Sequence, residues 1–229
     1  MLLNEIIQTD IKDVNIPNKA FSGKRGETKD LMGSGRYSIV RKDPKDPHMV
    51  SKRQKIDTSG ENYHQKDLYP EFVKALVNSD QKMNPYFPRI YGVNKYTDKQ
   101  GVTLHKFNME QLNSMHTISK EELQHVLDLI IDEGIQRAWG IDTDMMLAYF
   151  LSEAIKKSSV RKLVKDRNLY NALVFLSKFL KKNWHLDLHA DNMMFRRTPY
   201  GPQLVITDPF SQMSAYGQSQ EDSNVPMWV

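Results

Sequence analysis

The spacing of apolar residues divides the chain into a front half of short alternating runs and a back half with helical periods. Near the front, one strand entering Gly33 and another leaving through Tyr37, Ile39 and Val40 predict a hairpin turned on Gly33-Ser34-Gly35. Residues 42–48 carry two prolines and two aspartates and read as a turn. The strand expected over 49–53 alternates so that Val50 and Lys52 share a face, which lets Lys52 lie over an apolar floor. Within 62–79, Leu68, Phe72, Ala75 and Leu76 recur near helical spacing, with Pro70 suited to the first turn. A break at 85–88 precedes two strands, 89–93 and 101–107, that form a hairpin around 97–101.

In the back half, Ser119 followed by Glu122 is a capping-box signature, and Leu123, Val126, Leu127, Ile130 and Ile131 supply the apolar face behind it. A second helix is expected over 145–155 and a third over 160–181, the latter with Leu163, Tyr170, Leu173, Leu176 and Phe179 facing inward. The third ends in lysines, which complement its dipole. Apolar runs at 193–195 and 204–207 then predict an antiparallel pair turned at 198–202.

The chemistry concentrates at that last pair. The segment His185-Leu-Asp187-Leu-His189-Ala-Asp191-Asn192 leads into one strand, and Ile206-Thr-Asp208-Pro-Phe210 leaves the other. Antiparallel pairing sets Asn192 and Asp208 side by side, which suits two ligands of one hard cation. Gly33 and Gly35 let backbone approach phosphate oxygens closely, although Gly-Ser-Gly is also a plain turn. A metal site from His185, Asp187 and His189 would need an extended strand where a loop is expected. His189 and Asp191 have no single assignment from sequence.

Composition narrows the classes. The chain of 229 residues suits one ordinary domain or two small lobes around a cleft. Having no cysteine, it is without disulfides, thiolate catalysis and cysteine-bound metal, and fits a reducing compartment. A formal charge of +4 is mild, so nucleic-acid binding is not expected to be its main role. No apolar run approaches a membrane span, and the sequence reads as cytoplasmic.

The segment around Asp187 resembles the catalytic and metal-binding segments of the protein kinase-like superfamily. His185, Asp187, Leu188 and Asn192 match the pattern H-R-D-L-x-x-x-N, with Leu186 at the Arg position, and Asp208 matches the Asp of D-F-G, with Pro209 at the Phe. The match is similar above all to the small serine/threonine protein kinases of T7-like bacteriophages, which also read D-x-H-x-x-N-x-M-F and I-T-D-P. This resemblance implies an α+β, compact bilobal fold with an antiparallel-sheet N-lobe and a reduced, mainly helical C-lobe. Its divisions are an appendage at 1–26, an N-lobe at 27–112, a C-lobe at 113–213 and a tail at 214–229.

The resemblance also assigns roles. Asp187 falls on the catalytic base, and Asn192 and Asp208 fall on the Mg²⁺ ligands. Gly33, Ser34 and Gly35 fall on the loop over ATP, with Ser38 at its third glycine. Lys52 falls on the phosphate lysine, with Lys55 as the alternative, and Glu71 or Glu61 on its acidic partner. A hinge for adenine falls at 107–112. The implied cofactors are ATP and Mg²⁺, with Mn²⁺ as a substitute. Host bacterial proteins of transcription or RNA processing are the implied substrates. His-x-Asp-Leu-His-x-x-Asn also resembles aminoglycoside and choline phosphotransferases, and a catalytically silent binding protein is a further alternative. Twenty-one residues follow Asp208 without an A-P-E, and no Arg precedes Asp187, so activity without an activating phosphorylation is expected.

Overall fold

Five strands form one antiparallel sheet in which the fifth strand, from the later hairpin, lies beside the third. The computed structural model describes residues 31–34, 38–55, 68–97, 103–180 and 184–211. Strand β1 (Leu31–Ser34) pairs with β2 (Ser38–Lys42), which pairs with β3 (Met49–Lys55). After helix α1 (Tyr69–Val77), β4 (Ile90–Thr97) and β5 (Thr103–Glu110) complete the sheet in the order β1-β2-β3-β5-β4. Pro70 lies in the first turn of α1, as its fixed φ favours. β5 runs on to Glu110, so only Gln111 and Leu112 separate it from β6 (Asn113–Ser114). The hinge expected over 107–112 is therefore mostly strand.

The helical part begins with α2 (Lys120–Ile130), whose capping box closes in both directions between Ser119 and Glu122. Next come α3 (Glu133–Trp139), which the apolar spacing did not reveal, and α4 (Asp144–Lys156). The third expected helix is two: α5 (Ser158–Arg161) and α6 (Arg167–Leu180). The interruption has a local cause. Val164 forms a β-bridge with Ile131, Lys165 N–H donates to the Ile130 carbonyl at 3.0 Å, and the Asp166 carboxylate caps α6 through the Leu169 N–H at 2.8 Å. Arg161 sits buried at the break and donates to the Ala154 and Ile155 carbonyls near the end of α4.

Strand β7 (His185–Leu186), a 3-10 turn at Ala190–Asn192, and strands β8 (Met193–Thr198), β9 (Gly201–Ile206) and β10 (Phe210–Ser211) complete the described chain. β6, β8 and β9 form one small sheet, and β7 pairs with β10. At the β8–β9 turn Gly201 has φ 110°, and a Cβ there would lie 2.5 Å from Nε2 of His125 on α2. Only glycine lets α2 pack so closely on β9. One continuous hydrophobic cluster runs from Val50, Phe107 and Met109 of the first sheet through α1 to α2, α4, α6, β8 and β9. The protein is thus α+β, and among the described residues no helix is long and apolar enough to cross a membrane.

Candidate active site

Two antiparallel contacts gather the acids and the amide singled out in the sequence. β8 and β9 pair with Met193 opposite Ile206, so the next step of the ladder sets Asn192 against Thr207, one residue before Asp208. Thr207 makes that step twice: its N–H and its Oγ1 donate to the Asn192 carbonyl at 3.0 and 2.9 Å. On the far side of Asp208, Phe210 pairs with Leu186, and the Asp187 N–H donates to the Pro209 carbonyl at 2.9 Å. Asp208 is therefore held between the strand carrying Asn192 and the loop carrying Asp187. Phe210 anchors this crossing, packed 6.0 Å from Phe72, 5.3 Å from Phe179 and 5.3 Å from Trp184 between ring centroids.

Lys52 comes to the same place from β3. Its Nζ lies 2.6 Å from Asp208 Oδ2, across 156 positions of sequence. The lysine side chain is 10% exposed and the aspartate 29%. Nζ also sits 3.5 Å from the centroid of the Tyr69 ring on α1, a cation–π contact. Tyr69 is fixed in turn by Phe107, edge-on at 5.0 Å, and by its hydroxyl on Met109 Sδ. The expected floor under Lys52 is thus aromatic and belongs to α1. Nothing in the spacing around Tyr69 announces that role.

The remaining candidates divide. Glu71 lies in the first turn of α1, where its charge acts on His105 of β5. Burial and Lys95 hold that imidazole below its usual pKa, with Glu71 pulling the other way. Lys52 Nζ contacts the Asp208 carboxylate. Gly33 and Ser34 fall in β1, opposite Val40 and Ile39. Gly35 and Glu61 lie outside the described residues, as do the appendage at 1–26 and the tail at 214–229; Lys55 ends β3, with its side chain outside them too.

Around Asp187 the side chains form an alternating chain of acids and imidazoles. Asn192 Nδ2 donates to the Asp187 carbonyl and to His189 Nε2 at 3.0 Å. With its nitrogen engaged twice, Asn192 leaves Oδ1 as the atom open to a cation. His189 Nε2 also lies 3.7 Å from Asp187 Oδ1, and its Nδ1 faces Asp191 Oδ2 at 3.5 Å. Asp191 Oδ1 in turn meets Nε2 of His116 at 2.7 Å, and His116 Nδ1 faces Asp144 Oδ2 at 3.6 Å. Hydrogen bonding to Asp191 raises the His116 pKa, and both carboxylates favour its charged form. His116 thereby ties the turn bearing Asn192 to the start of α4. Its position, 75 residues before Asp191, carried no sequence signal.

A second tie joins the two sheets. Arg196 of β8 donates to Glu110 of β5 through Nε at 2.7 Å and through Nη2, and to the carbonyls of Pro85 and Phe87 at 3.0 and 3.3 Å. Glu110 also accepts from the Arg89 N–H at 2.8 Å. This knot fixes the end of β5 against the hairpin that presents Asn192 and Asp208.

Among the described residues, no three His, Asp or Glu side chains are arranged to hold a metal by themselves. The donor set nevertheless fits Mg²⁺. One carboxylate from Asp208 and one amide oxygen from Asn192 are hard ligands, and Mg²⁺ is commonly completed by phosphate oxygens and water. The chain matches no protein-family model, and no curated protein is significantly similar to it.

Proposed function

We propose that this chain is an ATP- and Mg²⁺-dependent serine/threonine protein kinase with a compact, kinase-like bilobal fold. The observation that carries this reading is the Lys52–Asp208 contact at 2.6 Å, made beside Asp187 and Asn192. A buried lysine facing a metal-type aspartate is the arrangement a nucleoside triphosphate requires, with one group for the phosphates and one for their cation. Bound Mg²⁺ would offset charge building on the phosphates. Asn192, its amide nitrogen engaged by Asp187 and His189, would hold that cation through Oδ1 together with the Asp208 carboxylate. Lys52 is drawn from Asp208 toward phosphate oxygens, a second positive charge.

Asp187 is 48% exposed and is reached from solvent by an acceptor chain. It orients a substrate hydroxyl and accepts its proton as the oxygen bonds to the γ-phosphorus and the bond to the bridging oxygen breaks. The resemblance to kinases of T7-like phages points to host bacterial proteins of transcription or RNA processing as acceptors, in the host cytoplasm. It also points to suppression of host gene expression as the outcome. Leu186 before Asp187 gives no arginine to read a phosphorylated activation segment, so activity is expected without prior phosphorylation.

The test is transfer of labelled γ-phosphate from ATP, with Mg²⁺ or Mn²⁺, to the protein itself and to a bacterial lysate. Wild type is compared with Asp187→Ala and Asp208→Ala. Labelling that both substitutions abolish supports the reading. ATP consumption without labelled protein would replace it with transfer to a small acceptor, the aminoglycoside-like alternative. A folded protein that neither binds nor consumes ATP would leave a binding protein.

A further inference from the structure

Lys52 and Arg53 are consecutive on β3 and so point to opposite faces of the sheet. The Lys52 face is covered by α1. On the other face, the register of four strands lines up two rows of side chains. Arg41, Ser51, Asn108 and Gly92 stand across one row, and Ile39, Arg53, Lys106 and Asn94 across the next.

Arg53 and Lys106 are direct cross-strand partners, and like charges so placed destabilise a sheet. Arg41 adds a third cation from the adjoining row. Burial and Arg53 push the Lys106 ammonium below its usual pKa, with Asp43 acting the other way. Glu110 shares the alternation of Lys106 along β5 but is engaged by Arg196 and the Arg89 N–H. The floor between the cations is polar. Ser51 is 5% exposed, and its Oγ and Nε of Arg53 are buried donors with no hydrogen-bond partner among the described residues, while Asn108 Oδ1 is a buried acceptor in the same state. Buried donors in that state are normally satisfied by a ligand or water. At the end of the row Gly92 leaves space, since an added Cβ would meet only Asn108 Nδ2, at 3.7 Å.

The geometry points to an oxyanion site for a phosphate group on the sheet face opposite Lys52, formed by Arg41, Arg53 and Lys106 over Ser51. A phosphate brings two negative charges and several acceptors, which match three cations and the two unsatisfied donors. Guanidinium forks select such an anion over chloride. The site lies on the opposite sheet face from Lys52 and stands whether or not the chain is a kinase.

Thermal unfolding of the full chain, titrated with inorganic phosphate at constant ionic strength set by chloride, tests it. Phosphate is expected to raise the midpoint of wild type. In Arg53→Gln/Lys106→Gln the concentration needed is expected to rise about tenfold or more. Arg41→Gln, away from the opposed pair, provides a milder variant with the same expected direction. O-phosphoserine in place of phosphate distinguishes the source: a tighter response assigns a phosphate monoester, an equal one the free ion. An unchanged phosphate response in the folded double variant and in Arg41→Gln places the anion elsewhere and overturns the site. So does an equal response to chloride alone.

Discussion

The two faces of the five-stranded sheet handle positive charge in opposite ways. On one face Lys52 is buried, lies over the Tyr69 ring and is neutralised by Asp208 at 2.6 Å. On the other, Arg53 and Lys106 oppose each other across β3 and β5, and the nearest carboxylate of that strand, Glu110, is bound to Arg196. A buried cation needs acceptors beside it, as Asp208 provides for Lys52, whereas cations that keep partial contact with solvent tolerate each other at a modest cost. The first face is therefore arranged internally around a pair, and the second is left with charge to be met by something else.

The largest effect should come from the best-buried pair. Arg196→Met removes four hydrogen bonds and leaves Glu110, 9% exposed, with only the Arg89 N–H. Chemical denaturation is expected to show a loss of about 3 kcal/mol. Next is Asp208→Ala, which strands Lys52 in its pocket. Because Asp208 is 29% exposed, the expected loss is smaller, about 2 kcal/mol, and Lys52→Met combined with Asp208→Ala should recover most of it. If the double variant is no more stable than Asp208→Ala, uncompensated charge is not what the pair prevents.

Across the sheet the sign reverses. Lys106→Gln relieves the opposition to Arg53, and at low salt stability should rise by about 0.5 kcal/mol, or ~1–2 °C in Tm. A fall instead would mean that Lys106 already has a compensating partner. The smallest effect belongs to the exposed His116 bridge. Its pKa is raised in the folded state by the bond to Asp191, so its contribution is complete below pH 6.5, the ordinary value, and is lost as pH rises through the elevated one. His116→Gln is thus expected to match wild type in Tm at pH 9 and to fall slightly below it at pH 6. A constant difference at both pH values would remove protonation from the account.

Local rules carried much of the architecture. The capping box at Ser119, the proline in the first turn of α1 and the β8–β9 hairpin appear where their residues predict. Each depends on neighbours within a few positions. The helix expected over 160–181 failed because its periodicity continues through a segment that Ile131 and Ile130 engage from another element. α3 was hidden because its seven residues are too few to establish a period. At the candidate site, Asp187, Asn192 and Asp208 were legible because a single loop and hairpin bring them together. His116 and Tyr69 were not, since each reaches the site from a different element.

By itself the sequence determined most of the alternating and helical segments, the turn chemistry between them, and the loop and hairpin whose register brings Asn192 and Asp208 close in the chain's path beside Asp187. Only the tertiary structure decided that Lys52 meets Asp208, that Tyr69 lies beneath it, that Arg196 clasps Glu110 and that Arg53 faces Lys106. Propensity and periodicity act over one turn or one hairpin. These contacts form between elements tens to more than a hundred residues apart, and their partners are chosen by how the shared core packs.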